Sequence, residues 1–270
     1  MNISKNNKKV YNIFSKNYIW YIILIIFIIV SCMYFDKYVG NYVKSVTVST
    51  IKVSLSDYYI NIFSGAAIIN KYGKKDYDIP FMWLSIQLII CAIISLKPFY
   101  YSSYKDLYKL IKSEKRTDYI IRQICDIFIK IVLVYVVIIA VIVLYSFGKG
   151  YISTEVHYEL FQNMNSDRGI NIGTYIYPLL YSVMMAVLQV YFNMYINRVI
   201  VIAFIVAYNI LAIYIPSWYV LGNMSMVYRS SNSVVKIECS VIVCCILIVI
   251  FTILTIFRFQ KYDVISTEEK

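Results

Sequence analysis

Charge is what this chain has least of. Only 15% of its 270 residues are Asp, Glu, Lys or Arg, and 60% are hydrophobic, against about 25% and 45–50% in an average soluble domain. So little charge cannot cover a water-facing surface, which excludes a soluble globular enzyme and a disordered chain. Histidine is nearly absent: His157 stands alone, so neither paired-histidine metal chemistry nor a Ser-His mechanism inside the membrane is available. His157 itself is expected as a solvated residue in a loop. Six cysteines (Cys32, Cys91, Cys125, Cys239, Cys244, Cys245) include no C-x-x-C pair. Zinc spacing is absent, and the cysteines are expected as small buried hydrophobes, a Cys32–Cys239 bridge being allowed by position but not required. No phosphate cradle G-x-x-x-x-G-K-[ST] occurs. Gly148-Lys149 has Val143 where the first glycine belongs and Gly150 where Ser or Thr belongs, so the chain has no P-loop with which to hydrolyse ATP.

What is present is long apolar runs. Stretches of roughly 17–25 apolar residues cross a hydrocarbon core of about 30 Å as helices. Six are expected, over residues 18–34, 79–96, 127–147, 175–195, 199–215 and 237–257. The fold class is therefore all-α, a polytopic membrane protein built as one six-helix domain over 18–270 behind a tail of residues 1–17. Ten Ile, Leu, Phe or Val residues lie between Ile19 and Val30, favouring insertion of the first run by about 3–6 kcal/mol. Pro80, Pro98, Pro178 and Pro216 fall at the edges of the runs, where a residue without an N–H interrupts no helix ladder. Trp20, Trp83 and Trp218 also fall near the ends, as amphipathic indoles at a membrane interface do. Only Ile196, Asn197 and Arg198 separate the fourth and fifth runs. One continuous helix there would reach roughly 60 Å, so the two form an antiparallel hairpin.

Basic residues set the orientation. With the N-terminus inside, residues 1–17, 97–126, 196–198 and 258–270 carry 15 Lys and Arg in 63 positions, whereas the opposite loops carry 10 in 91. Both termini are therefore expected in the cytoplasm of a cell whose membrane holds the chain, despite six lysines in the first external loop. Lys5, Lys8, Lys9 and Lys16 before an apolar run, with Ile29-Val30-Ser31-Cys32 near its end resembling a lipoprotein processing box, also match the layout of a cleaved secretory signal. Cleavage would leave five spans and put the termini on opposite sides. A net charge of +11 forms no continuous stripe, so contact with membrane lipids rather than nucleic acid is expected.

No Asp or Glu falls near the centre of a run, which disfavours ion-driven transport. The runs contain amides instead. Gln189, Asn193 and Asn197 recur every four residues, with Asn209 in the fifth run and Gln87 in the second. Gln87, Gln189, Asn193 and Asn209 are either interhelical ties or the lining of a translocation path. Two cytoplasmic elements are amphipathic. Val10, Ile13 and Phe14 form a short apolar face between lysines, as in an interfacial helix. In the loop 97–126, Leu107, Leu110 and Ile111 form a ridge at i, i+3, i+4 among Lys105, Asp106, Lys109, Lys112, Glu114, Lys115, Arg116 and Asp118. Such a ridge serves docking or packing on the membrane surface.

The order of these parts resembles the ABC-2-type membrane subunits of bacterial ABC exporters. Residues carrying the likeness are the interfacial N-terminus, Ile79-Pro80-Phe81-Met82-Trp83-Leu84 opening the second span, and Tyr104-Lys105-Asp106-Leu107 followed by Lys115-Arg116. Leu221-Gly222-Asn223-Met224-Ser225-Met226 with Arg229-Ser230 completes it. Family members often carry paired tryptophans after the basic pair, where Thr117-Asp118-Tyr119 stands here. The resemblance implies a non-catalytic permease subunit that pairs with a second permease, identical or not, and with separate cytosolic ABC ATPase subunits holding ATP and magnesium. A coupling helix over about 104–118, with Asp106, Leu107, Leu110, Ile111, Lys115 and Arg116, would dock the ATPase. The stretch 216–236 would cap the outer end, with Trp218, Tyr219, Met224, Met226 and Tyr228 either returning into the outer leaflet or forming an ordinary loop. Export of an antimicrobial peptide or other amphipathic cargo follows by analogy alone. The alternative is a non-transporting scaffold, sensor or immunity protein that binds a cytosolic partner.

Overall fold

The computed structural model describes residues 18–46, 51–67, 79–95, 116–161, 170–231 and 235–260. Every regular element among them is helical: α1 Tyr18–Val46, α2 Leu55–Phe63, α3 Phe81–Ser95, α4 Arg116–Gly148, α5 Ile172–Phe192, α6 Arg198–Tyr214, α7 Val227–Ser230 and α8 Ile237–Gln260, with 3-10 turns at Tyr158–Leu160 and Leu221–Ser225. Four of these, α1, α4, α5 and α8, are long and apolar enough to cross a membrane. The other two expected spans form apolar but shorter helices, α3 with 15 residues and α6 with 17.

Side-chain placement fits lipid rather than water. On α8 the buried positions include Ser240, Cys244 and Thr255, whereas Ile242, Ile246, Val249, Ile250, Ile253 and Phe257 are exposed. A soluble helix has the opposite arrangement. Small residues inward and large apolar ones outward is the pattern of a helix packed closely on one neighbour and solvated by acyl chains. That neighbour is α5, against which α8 packs more extensively than any other pair of elements. Along α1, Tyr21, Leu24, Ile28, Cys32, Phe35 and Val39 are buried. Their spacing of three and four residues makes one stripe, which faces α4.

Helix α5 is central, touching α3, α4, α6 and α8. The loops gather at two ends. At one, Gln260 Nε2 donates to Thr117 Oγ1 at 3.0 Å, the Tyr119 and Phe259 rings stack, and Ile120, Met194 and Phe259 cluster. At the other, the Leu55 N–H donates to the Ser153 carbonyl at 2.9 Å and Tyr59 Oη to the Tyr175 carbonyl at 2.9 Å. Helices α1 and α4 run from the first end to the second, α5 and α8 from the second to the first, and the shorter α3 and α6 lie between them in the chain.

Several expectations are corrected. Helices α1 and α4 outrun their apolar cores because polar residues continue the ladder outside them. Thus α4 has 33 residues and begins at Arg116, not 127, and α1 continues to Val46 rather than ending at 34. Helix α5 begins at Ile172, so Pro178 lies inside it, its carbonyl accepting from Ser182 Oγ at 2.9 Å. The hairpin expected after α5 is present, but α5 ends at Phe192. Asn197 is therefore not on its polar face; it caps α6, its side chain accepting from the Val199 N–H. Trp83 is fully buried rather than at a lipid interface. All six cysteines are free, with Cys125, Cys239 and Cys245 exposed.

His157 is also corrected, from a solvated residue to a tether. Ser54 and Asp57 form a capping box that starts α2, an arrangement that satisfies two orphan N–H groups at once. Fully buried Asp57 also accepts from the His157 N–H at 3.0 Å and lies 2.7 Å from His157 Nδ1. The carboxylate thereby ties α2 to the segment after α4.

Candidate functional site

Pro216 restricts the residue before it to extended backbone, and Ile215 takes φ −113°, ψ 97°, ending α6. The chain then turns back on the bundle. Leu221, Met224, Met226 and Val227 are buried, while Trp218 and Tyr219 remain exposed. Of the five residues named for a return into the structure, the two methionines and half-buried Tyr228 go in and the first two aromatics do not.

A buried arginine holds this fold-back. Arg229 is 2% exposed. Its Nε donates to the Ala66 carbonyl at 3.0 Å, one terminal nitrogen to the Ala212 carbonyl and to Asn223 Oδ1, and the other to the Ile213 carbonyl at 2.5 Å. Ala212 and Ile213 lie in the last turn of α6, where carbonyls have no helical donor and the dipole is negative. The guanidinium therefore caps that helix as a cation. Burial pushes Arg229 down to about 10, so it stays charged at neutral pH. Asn223 completes the knot, its Nδ2 donating at 2.7 Å to the carbonyls of Ile215 and Ser217.

Neighbouring elements close around it. Trp83 Nε1 on α3 donates to Ser225 Oγ at 2.9 Å. The Leu221 N–H donates to Tyr208 Oη on α6 at 3.0 Å. Ser240 Oγ on α8 donates to the Trp218 carbonyl at 2.8 Å. The Tyr228 N–H donates to the Ser64 carbonyl at 2.9 Å. Gly65 has φ 73°, and a Cβ there would lie 2.2 Å from Met226 Cβ, so only glycine allows the two strands of chain to approach so closely. The fold-back thus joins α3, α6, α8 and the loop after α2 at one end of the bundle.

The amides sit deeper. Gln87 Oε1 accepts from Ser182 Oγ at 3.2 Å, which is 2.8 Å from Tyr135 Oη, linking α3, α4 and α5. Gln189 Nε2 donates to the Cys91 carbonyl at 3.2 Å and to Ser95 Oγ. Asn209 Oδ1 accepts from Tyr181 Oη at 2.5 Å. Asn193 is buried at the end of α5. Gln87, Gln189 and Asn209 therefore tie helices together, and none of the four lines an apolar groove of about 710 Å³ floored by Met184, Met185 and Leu188 of α5 and walled by Phe204 and Tyr208 of α6. Asp106, Leu107, Leu110, Ile111 and Lys115 lie outside the described residues, and Arg116 is the first residue of α4.

Sequence reasoning missed a second cluster at the same end. Asp36 of α1 accepts from Tyr58 Oη at 2.5 Å and from Tyr145 Oη at 2.8 Å, and pairs with Lys149 Nζ at 3.0 Å. Burial, then the bond to Asp36, pushes the Tyr58 phenol upward. Its one visible signal is an acid placed just past an apolar run. Among the described residues no group of three His, Cys, Asp or Glu is placed to hold a metal. Compared with known proteins, the chain matches no family model, no curated protein and no solved structure.

Proposed function

We propose that this chain is the membrane-spanning, non-catalytic permease subunit of an ATP-driven exporter in the bacterial cell membrane, of ABC-2-type architecture, carrying a peptide or other amphipathic cargo. In this reading α1, α3, α4, α5, α6 and α8 make six crossings with both termini cytoplasmic. A separate ATPase, which holds ATP and magnesium, docks on residues 104–118. A second permease, identical or different, completes the path. Closure of the ATPases rocks the two permeases against each other.

The observation that carries this reading is the buried fold-back behind α6. A scaffold needs only a solvated loop between α6 and α8. Here the loop instead returns to the bundle and is held by Arg229, which supports a role as an outer cap. The absence of a P-loop in the sequence supports an external energy source. Large exposed apolar faces on α1, α6 and α8 give surface for lipid and for a second permease.

The test is co-purification with a Walker-motif ATPase encoded nearby, followed by ATP hydrolysis in vesicles. Recovery of the ATPase that falls with Leu107→Asp and Leu110→Asp, together with hydrolysis stimulated by cargo only when this chain is present, supports the permease. Full recovery with both variants rejects the docking assignment. Partner binding without cargo-stimulated hydrolysis favours the scaffold or immunity reading.

A further inference from the structure

The Asp36 cluster borders an open cleft of about 430 Å³, within the size range of small-ligand sites. Its lining is of two kinds. Val39, Val43 and Val53 give an apolar floor, and Lys44, Lys52 and Lys149 give cations, with Asp36 the one acid. Asp36 is already engaged by two phenols and by Lys149. Lys52 lies over the Tyr151 ring at 5.5 Å. Lys44 and Lys52 pair with no acid among the described residues. The cleft therefore carries a net positive charge on solvent-exposed lysines around an apolar floor, a surface that attracts anions.

Gly40 and Gly150 both line the cleft, and a Cβ added to either meets open space; at Gly150 the left-handed φ of 72° favours glycine. Its height in the fold adds the chemistry. Asp36 stands 18 residues after Tyr18 in α1, about 27 Å along the helix axis and so at the far margin of a hydrocarbon core of roughly 30 Å. Lys44 stands eight residues further out, about 12 Å along the axis, so the cleft runs from that margin outward through the headgroup layer, and lysine binds phosphate as a point charge.

We infer that the cleft between the outer ends of α1 and α4 binds a phosphate-bearing anion, through Lys44 and Lys52, with its apolar floor taking the adjoining carbon skeleton. The inference rests on α1 crossing the membrane and is independent of any ATPase. It adds a site that the permease reading neither needs nor contains.

The experiment is thermal unfolding of the full chain in detergent, without ATPase, in sodium phosphate against sodium chloride of matched ionic strength, and with added phosphatidylglycerol. A ligand several-fold above its dissociation constant raises the melting temperature by about 2–4 °C. Stabilisation by phosphatidylglycerol alone names a lipid headgroup as the source; stabilisation by inorganic phosphate as well names the free anion. Lys44→Ala with Lys52→Ala abolishes the shift, and Lys37→Ala, outside the cleft, retains it. Gly40→Leu, which adds bulk at the cleft without removing a charge, also abolishes it, while its melting temperature in chloride stays at or above that of the parent chain. No shift with either phosphate source, or a shift that the double lysine variant retains, overturns the inference.

Discussion

Arg229 and Asn223, six residues apart, share a hydrogen bond at the centre of the knot, and between them they donate to the carbonyls of Ala66, Ala212, Ile213, Ile215 and Ser217. Removing the arginine therefore leaves several buried acceptors without donors, each costing about 1–3 kcal/mol. Arg229→Met is expected to lower the melting temperature in detergent by roughly 6–12 °C. Arg229→Lys, with three donors on one nitrogen instead of a planar fork, recovers only part of it. Thermal unfolding followed by circular dichroism checks both, and an unchanged Arg229→Met melt rejects the knot.

The close approach of Gly65 to Met226 gives a contrast between two glycines. Gly65→Ala forces a left-handed backbone and a collision with Met226 Cβ, and is expected to destabilise by at least about 1–2 kcal/mol. Gly40→Ala lies in α1 with open space around it and stabilises by about 0.5–1 kcal/mol, because alanine favours a helix over glycine. The measurement is the difference in melting temperature between the two variants; equal effects contradict the described geometry.

His157 and Asp57 make a prediction for the outer loops. Losing the imidazole leaves one donor fewer for a fully buried carboxylate, at a cost of about 1–3 kcal/mol. Because Asp57 also caps α2, His157→Ala should loosen residues 51–67 and 151–161 together. Hydrogen exchange reads this directly: faster exchange in both segments, with α5 and α8 unchanged, is the expected pattern.

The long helices were legible because runs of 17 or more largely apolar residues have one solution in lipid, a helix that satisfies its own backbone. Their ends were not. Hydropathy marks where lipid stops, whereas the ladder continues through polar turns such as Arg116 to Asp126, and from Asp36 to Val46. Helix α2 had a readable start in Ser54 and Asp57, three residues apart before an apolar run; within a lysine-rich loop that signal passes for a surface segment. At the candidate site, Met224 and Met226 were named through the family resemblance alone. Arg229 was named there too, but not its role, since one arginine in a loop looks solvated until the α6 carbonyls that need it are brought alongside. The amides Gln87, Gln189 and Asn209 were visible as polar residues in apolar helices, but only packing identifies their partners.

The account stands on which side each end of the bundle faces. The measurement is labelling of single cysteines, introduced into a cysteine-free chain at Lys109 and at Tyr151, by a membrane-impermeant maleimide in intact cells. The account predicts that Tyr151→Cys reacts from outside and that Lys109→Cys reacts only after permeabilisation. Labelling of Lys109→Cys in intact cells would put the apolar ridge out of reach of a cytosolic ATPase and contradict the account.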